Sequence, residues 1–93
     1  LHYKGHVKIH AEDNPGILAD IASVVTKSNL NIFNIHSRDI DSMIIEFVME
    51  VEVLNTDSIN RLMIKLRSLR YVTSCSRIVN DKRSKNEKTN IYQ

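Results

Sequence analysis

The sequence has little of several residue types, and each shortage excludes something. It contains one cysteine, one proline, two glycines and no tryptophan in 93 residues. The single cysteine, Cys75, can form neither an internal disulfide nor a Cys-rich zinc site, and we expect it to be a buried, small apolar residue. No apolar run is long enough to span a membrane, and the polar start lacks the apolar region of a secretory signal. We therefore expect a cytoplasmic protein without a membrane partner.

Length and composition predict one small globular domain with a hydrophobic core. The chain is 42% hydrophobic and 26% charged, which is too apolar for general disorder. Residues 1–79 hold nine Lys/Arg and nine Asp/Glu, so the formal charge of +2 comes from residues 80–93. A nucleic-acid-binding domain usually carries a clustered basic face on its folded part, and none is evident. We expect a domain over residues 1–79, a disordered polar tail over 80–93 and, because residue 1 is Leu, a fragment of a longer protein.

Apolar periodicity predicts an α+β fold with the element order βαββαβ. The two β-α-β crossovers must be right-handed, which puts both helices on one face of an antiparallel sheet with strand order 4-1-3-2. This is the ferredoxin-like sandwich. The predicted strands cover residues 4–11, 30–39, 43–53 and 72–79; one helix of about 14 residues begins after residues 14–16 and ends near 28–29, and the other follows residues 55–58.

Alternation along the strands predicts which side chains meet on the open face of the sheet. On the third strand every second residue from Met43 to Val53 is apolar and faces the helices, while Glu46, Glu50 and Glu52 face outward. Strand one lies beside strand three, so these glutamates share the open face with Lys4, His6, Lys8 and His10. The second strand does not keep one parity of apolar residues, which leaves its inward face undecided. It lies at an edge of the sheet and needs protection by charge or by a partner.

Metal binding, nucleic-acid binding and catalysis are all disfavoured by the residue pattern. Residues four apart on one strand are separated by about 13 Å, so His6 and His10 cannot share a metal ion, and we predict no metal site or cofactor. RNA recognition by a fold of this order uses aromatic side chains on the two central strands, where this chain has glutamates. The sequence also lacks a Cys-x-x-Cys loop, and it offers no serine or cysteine nucleophile with an adjacent base.

The most informative segment connects the first strand to the first helix. In residues 12–18, Glu-Asp-Asn-Pro-Gly-Ile-Leu, Asn14 suits a helix cap and Pro15 the first helical position. The backbone N–H groups of Gly16 and Ile17 are then unpaired donors at a helix start, and Gly16 has no side chain to block an approaching molecule. Such a start can bind an anion or a carboxylate. The alternative is a capped helix that binds nothing.

This segment, with two others, resembles the ACT domain, a small regulatory module of βαββαβ fold. The resemblance is carried by Asp-x-Pro-Gly at residues 13–16 with its continuation to residue 21, and by Asn-Leu-Asn-Ile at residues 29–32. Residues 62–69, followed by Val72, Ser74 and Arg77, and also Ser37-Arg38, are similar to the ACT domain that ends RelA/SpoT-type (p)ppGpp synthetases and hydrolases, the GTP pyrophosphokinases. Arg70-Tyr71 departs from the Pro-Gly or Pro-Asp that these enzymes often have before the last strand.

The resemblance implies a regulatory, non-catalytic function. ACT domains commonly form homodimers through the edge of the second strand and bind an amino acid there. Transferred to this sequence, the site comprises residues of the first loop and, from the other copy, residues of the second strand: Asp13, Asn14, Gly16, Ile17 and Leu18, with Asn31, Ile32 and Asn34. A branched-chain amino acid is the implied ligand, and a ribosome contact is implied for the longer parent protein. The alternatives are an ACT domain of an amino-acid biosynthetic enzyme, or a module that contacts RNA or protein without a small ligand.

Overall fold

A computed structural model describes residues 3–79 and contains the six expected elements in the expected order. These are β1 (Tyr3–Glu12), α1 (Ile17–Lys27), β2 (Asn31–Asp39), β3 (Ile44–Val53), α2 (Thr56–Arg67) and β4 (Val72–Ile78). The strands form one sheet of order β2-β3-β1-β4 in which every neighbouring pair is antiparallel. The predicted ferredoxin-like sandwich is confirmed. The predicted disorder of residues 80–93 lies outside the described residues.

One apolar core joins the inner face of the sheet to both helices. Strand alternation places the inward residues of β1 and β3 opposite the apolar stripes of α1 and α2, as the periodicity predicts. The core consists of Val7, Ile9, Ala11, Ile17, Ile21, Val25, Phe47, Met49, Val51, Val53, Ile59, Leu62, Met63, Leu66 and Cys75. Cys75 is buried as expected, and burial raises the pKa of its thiol to about 11.

Met43 does not belong to the inward row in which the alternation placed it. It precedes β3, and 69% of its surface is exposed. Asp41 causes this, because its Oδ1 atom accepts the backbone N–H groups of Met43 and Ile44 at 2.7 Å and 2.9 Å. Met43 belongs to this turn, so β3 begins one residue later than predicted.

Helix α1 begins later than the sequence suggests. Asn14 does not cap the helix and Pro15 is not its first residue, because Gly16 occupies the N-cap position and the helix starts at Ile17. Ile17 is buried, whereas Leu18 is 48% exposed. The helix has 11 residues instead of about 14. The cause is the backbone of Gly16, whose φ of 88° is left-handed and cannot continue a right-handed helix.

A β-bulge explains why the second strand keeps no single parity. The register between β2 and β3 shifts between Ile32 and Asn34, so that Phe33 is an extra residue. Ile32 and Ile35 therefore both pack against the core although they are three residues apart. The ring of Phe33 lies on the open face, where the Lys4 ammonium is 5.2 Å from its centroid.

Candidate functional site

The segment between β1 and α1 is a tight turn held at one end of the sheet. The backbone carbonyl of Asn14 accepts the N–H of Ile17 at 3.0 Å, which closes a four-residue turn around Pro15 and Gly16. The angles of Gly16, φ 88° and ψ −1°, are those of the third residue of a type II turn, where glycine is favoured. The N–H of Asp13 donates to the carbonyl of Met43 at 2.8 Å and anchors the turn to the start of β3.

This turn changes which donors are available to a ligand. The N–H of Ile17 is not an unpaired donor, since the turn uses it. Within residues 3–79, the amides of Gly16, Leu18 and Ala19 have no hydrogen-bond acceptor. A Cβ atom built on Gly16 would meet nothing within 4 Å, so the space above this residue is open. The turn therefore combines open space above Gly16 with a set of free amides that differs from the predicted one.

The side chains around the turn differ in how far they can serve a ligand. The Nδ2 atom of Asn14 donates to the Pro15 carbonyl at 3.0 Å, and the Ile17 side chain is in the core. Leu18, which follows the turn, and Met43, whose carbonyl accepts the Asp13 N–H, are both exposed apolar residues. Met43 was missed by sequence reasoning because alternation assigned it to the core. The carboxylate-rich turn at Asp41 that follows β2 is the signal that could have identified it.

The second half of the predicted site lies at the other end of the sheet. Asn31 pairs with Glu52 at the end of β3, whereas Asp13 is bonded beside the start of β3. The seven steps along β3 from Ile45 to Glu52 span about 23 Å at about 3.3 Å per residue. One chain therefore cannot bring the turn and Asn31, Ile32 and Asn34 together. Asn31 also donates to the Glu52 carboxylate at 3.0 Å, and Ile32 packs on the core.

The free edge of β2 presents an alternating set of backbone groups. In an antiparallel ladder, residues that bond to their neighbour alternate with residues whose N–H and C=O point the other way. Ile40 donates to the carbonyl of Ile44, so the even-numbered residues of β3 bond toward β2. Their partners include His36 and Arg38. The residues between them, Ile35 and Ser37, consequently direct their N–H and C=O groups away from the sheet.

The open face carries the predicted pairs of histidine and glutamate. The Nε2 atom of His6 is 3.0 Å from the Glu50 carboxylate, and that of His10 is 2.8 Å from the Glu46 carboxylate. Arg38 donates to the other oxygen of Glu46 at 2.8 Å. Hydrogen bonds from His10 and then from Arg38 lower the pKa of Glu46, which is only 7% exposed. The cross-strand prediction is confirmed, and Arg38 is an addition to it.

Within residues 3–79, no group of three or more His, Cys, Asp or Glu side chains could hold a metal ion. Neither α1 nor α2 is long and apolar enough to cross a membrane.

Comparison with known proteins points to one family. A family model described as "ACT domain" matches residues 1–77. The GTP pyrophosphokinase rsh of Brucella abortus (strain 2308) is 26% identical over 76 residues, which are 82% of this chain and 10% of that protein. The chain thus spans about a tenth of the length of this relative.

Solved structures agree with that match. The crystal structure of the ACT domain from GTP pyrophosphokinase of Chlorobium tepidum superposes with a TM-score of 0.73 at 29% identity, over 84% of this chain and all of that one. The acetolactate synthase small subunit of Thermotoga maritima has a TM-score of 0.76 over 86% of this chain and 50% of its own. Its identity of 16% shows a shared fold alone.

Proposed function

Because this chain belongs to the ACT domain family, we propose that it is the regulatory, non-catalytic module of a GTP pyrophosphokinase, a (p)ppGpp synthetase/hydrolase, and senses a small amino acid. The observation that carries the ligand part of this proposal is the open turn at Gly16. It combines a bare backbone with free amides at the first turn of α1, where a carboxylate is favoured by the unpaired donors and the helix dipole. The identity of 29% to the ACT domain from a GTP pyrophosphokinase supports the proposed parent.

The ligand site needs a second copy of the chain. Antiparallel pairing of two β2 strands about a twofold axis near Ile35 would place the partner's Asn31 beside Asp39, at the end of the sheet that carries the turn. The outward N–H and C=O groups of Ile35 and Ser37 would then bond across the axis, which removes an exposed edge. The amino acid would lie between the Gly16 turn of one copy and β2 of the other, with Leu18 along its apolar side chain.

Regulation would follow from a difference in affinity. An amino acid that binds the paired module more tightly in one arrangement of the parent shifts the parent toward that arrangement, while equal affinity transmits nothing. Coupling energies of about 1–3 kcal/mol are typical and correspond to activity changes of roughly 5- to 150-fold. Deleting this segment from the full-length parent should therefore change its balance of synthetase and hydrolase activities. An unchanged balance contradicts the regulatory proposal.

Calorimetry tests the ligand directly. The chain is titrated with leucine, isoleucine, valine, serine and threonine, and we expect heat from the branched-chain members. The variant Gly16→Asn places a side chain in the open space, and asparagine tolerates a left-handed backbone better than valine does. It should abolish binding while Ser23→Asn, the same new side chain at an exposed position in the middle of α1, leaves it unchanged. Equal binding by both variants places the ligand elsewhere.

The same titration distinguishes an amino-acid sensor from a module that contacts RNA or protein without a small ligand. Absence of heat with all five amino acids, from a chain shown to be a dimer, favours such a contact module. A ribosome contact in the parent belongs to this alternative. The acidic carboxylates of Glu46 and Glu50 on the open face argue against RNA at that surface.

A further inference from the structure

The second free edge of the sheet, β4, is also exposed but differs from β2 in the middle of the strand. Glu12 donates its N–H to the carbonyl of Tyr71, so the even-numbered residues of β1 bond toward β4. Cys75 lies opposite Ile9, an odd-numbered residue. The alternation of an antiparallel ladder therefore directs the N–H and C=O of Cys75 away from β1, to the outer edge.

That outward carbonyl is occupied by a side chain. Arg67, the last residue of α2, donates to the Cys75 carbonyl from Nε at 3.2 Å and from Nη2 at 2.8 Å. A guanidinium presents its donors as a rigid planar fork, so both bonds hold it in one orientation. An incoming strand would need this carbonyl as an acceptor and the space beside it for its own backbone.

Among residues 3–79, the middle of β2 has no counterpart to this hydrogen-bonded arginine. Within the described residues, no side-chain hydrogen bond reaches the backbone of Ile35 or Ser37. The guanidinium of Arg38, which belongs to β2 itself, is directed to Glu46 on the open face. The two edges of the sheet thus present different surfaces to a second copy of the chain.

We propose that Arg67 blocks strand addition at β4, so that copies of this chain associate through β2 and stop at the dimer. This inference rests on the proposed pairing through β2. A dimer joined at β2 carries a β4 edge at each end of its sheet. If those edges could pair, every dimer would bind two others, and the assembly would not close. The partner that fits an unblocked β4 edge is another β4.

The experiment compares masses by light scattering over a range of concentrations. Arg67→Met keeps an apolar stem at the end of α2 and removes the fork. We expect the wild type to be a dimer and Arg67→Met to form tetramers and larger species as its concentration rises. Arg61→Met is the matched control on the same helix, since Arg61 makes no hydrogen bond or ion pair within residues 3–79, and it should remain a dimer.

A variant that cannot pair through β2 separates the proposed β2 pairing from the proposed role of Arg67. Ser37→Pro removes an outward N–H of β2 without breaking a ladder bond, because proline is tolerated where an edge amide faces solvent. This variant should be a monomer, and Ser37→Pro with Arg67→Met should form dimers and nothing larger. A monomeric wild type contradicts pairing through β2. The role of Arg67 is contradicted if Arg67→Met raises the mass neither in the wild type nor in Ser37→Pro.

Folding is verified for each variant by circular dichroism and thermal unfolding. If Arg67→Met is unfolded at the working temperature, Arg67→Gln takes its place, because it keeps a polar head without the guanidinium fork. The mass comparison then decides in the same way. A folded Arg67→Gln that stays at the wild-type mass overturns the proposal.

Discussion

The Nε2 atom of His10 lies 2.8 Å from Oε2 of Glu46, and Nε of Arg38 lies 2.8 Å from Oε1 of the same carboxylate. These three residues belong to three adjacent strands, β1, β3 and β2, and form one row across the open face. Glu46 is nearly buried there and needs both partners, because a buried carboxylate without them would be strongly disfavoured. The row links the edge strand to the centre of the sheet.

Glu46→Gln should make stability depend less on pH in the acid range. The pKa of Glu46 in the folded chain lies below 4.5, its ordinary value. Its ionised form therefore contributes stability that is fully present above 4.5 and is lost as the pH falls through the folded-state pKa. Urea unfolding from about pH 7 to about pH 3 should show the variant less stable at neutral pH, with the gap to wild type closing in acid.

Glu50→Gln is the control for this measurement. Glu50 also contacts a histidine, His6 at 3.0 Å, but no arginine of the described part of the chain bonds its second oxygen, and it is more exposed. Its substitution should cost less at neutral pH, because exposed pairs contribute little. A gap between wild type and Glu46→Gln that stays constant from neutral to acid pH contradicts the role given to the carboxylate.

The two asparagines that precede the helices should differ in their effect on stability. Asn55 caps α2, since its Oδ1 atom accepts the N–H of Ser58 at 2.8 Å. Asn55→Ala should lower the free energy of unfolding by about 1 kcal/mol. Asn14 donates to the carbonyl of Pro15 and caps nothing, so Asn14→Ala should cost clearly less. Chemical denaturation of both variants checks this, and equal losses would contradict the assignment of the caps.

The contrast between these asparagines shows where the sequence was sufficient. The strand order and the facing of Glu46 and Glu50 follow from crossover handedness and period-two alternation, and the structure confirms them. Residues 55–58 indicate a helix start without choosing its cap, and the structure assigns the cap to Asn55. Asn-Pro-Gly is ambiguous, because the same three residues suit a helix start and a type II turn. The positive φ of Gly16 decides for the turn, and no local pattern distinguishes it from a cap.

Two other features could not be obtained from local patterns. The bulge at Phe33 depends on the pairing of β2 with β3, and the sequence shows only that the parity of apolar residues fails. The Gly16 turn and Asn31 lie at opposite ends of the sheet, so one copy does not bring the predicted site residues together. The sequence suggested completion by a second copy through family resemblance, and this remains a proposal.

Gly16→Ala should destabilise the chain through its backbone and not through a steric clash. A Cβ atom has open space at this position, but a left-handed conformation costs a residue with a side chain roughly 1–2 kcal/mol. Gly16→Asn should cost less, because asparagine reaches this region more readily. Unfolding free energies of the two variants test this order. An alanine variant that is more stable than the asparagine variant would contradict the turn assigned to Asn14–Ile17.

Gly5→Ala should destabilise for the opposite reason, a clash in an ordinary backbone conformation. A Cβ atom on Gly5 would lie 2.5 Å from Cδ1 of Ile59, the first buried residue of α2. Overpacking of this kind typically costs about 1–3 kcal/mol. Denaturant unfolding of Gly5→Ala should give a loss in that range.

Ile59→Val removes the Cδ1 atom and supplies the decisive comparison. Alone it should cost about 0.5–1.5 kcal/mol, as a lost methyl group in a core does. The double variant with Gly5→Ala should lose less stability than the sum of the two single losses. The new methyl group occupies the vacated space, and substitutions of residues in contact are not additive. Ile21→Val, the same substitution at a buried residue of α1, should add its cost to Gly5→Ala in full. If the losses of Ile59→Val and Gly5→Ala also add in full, α2 does not pack against β1 through this contact.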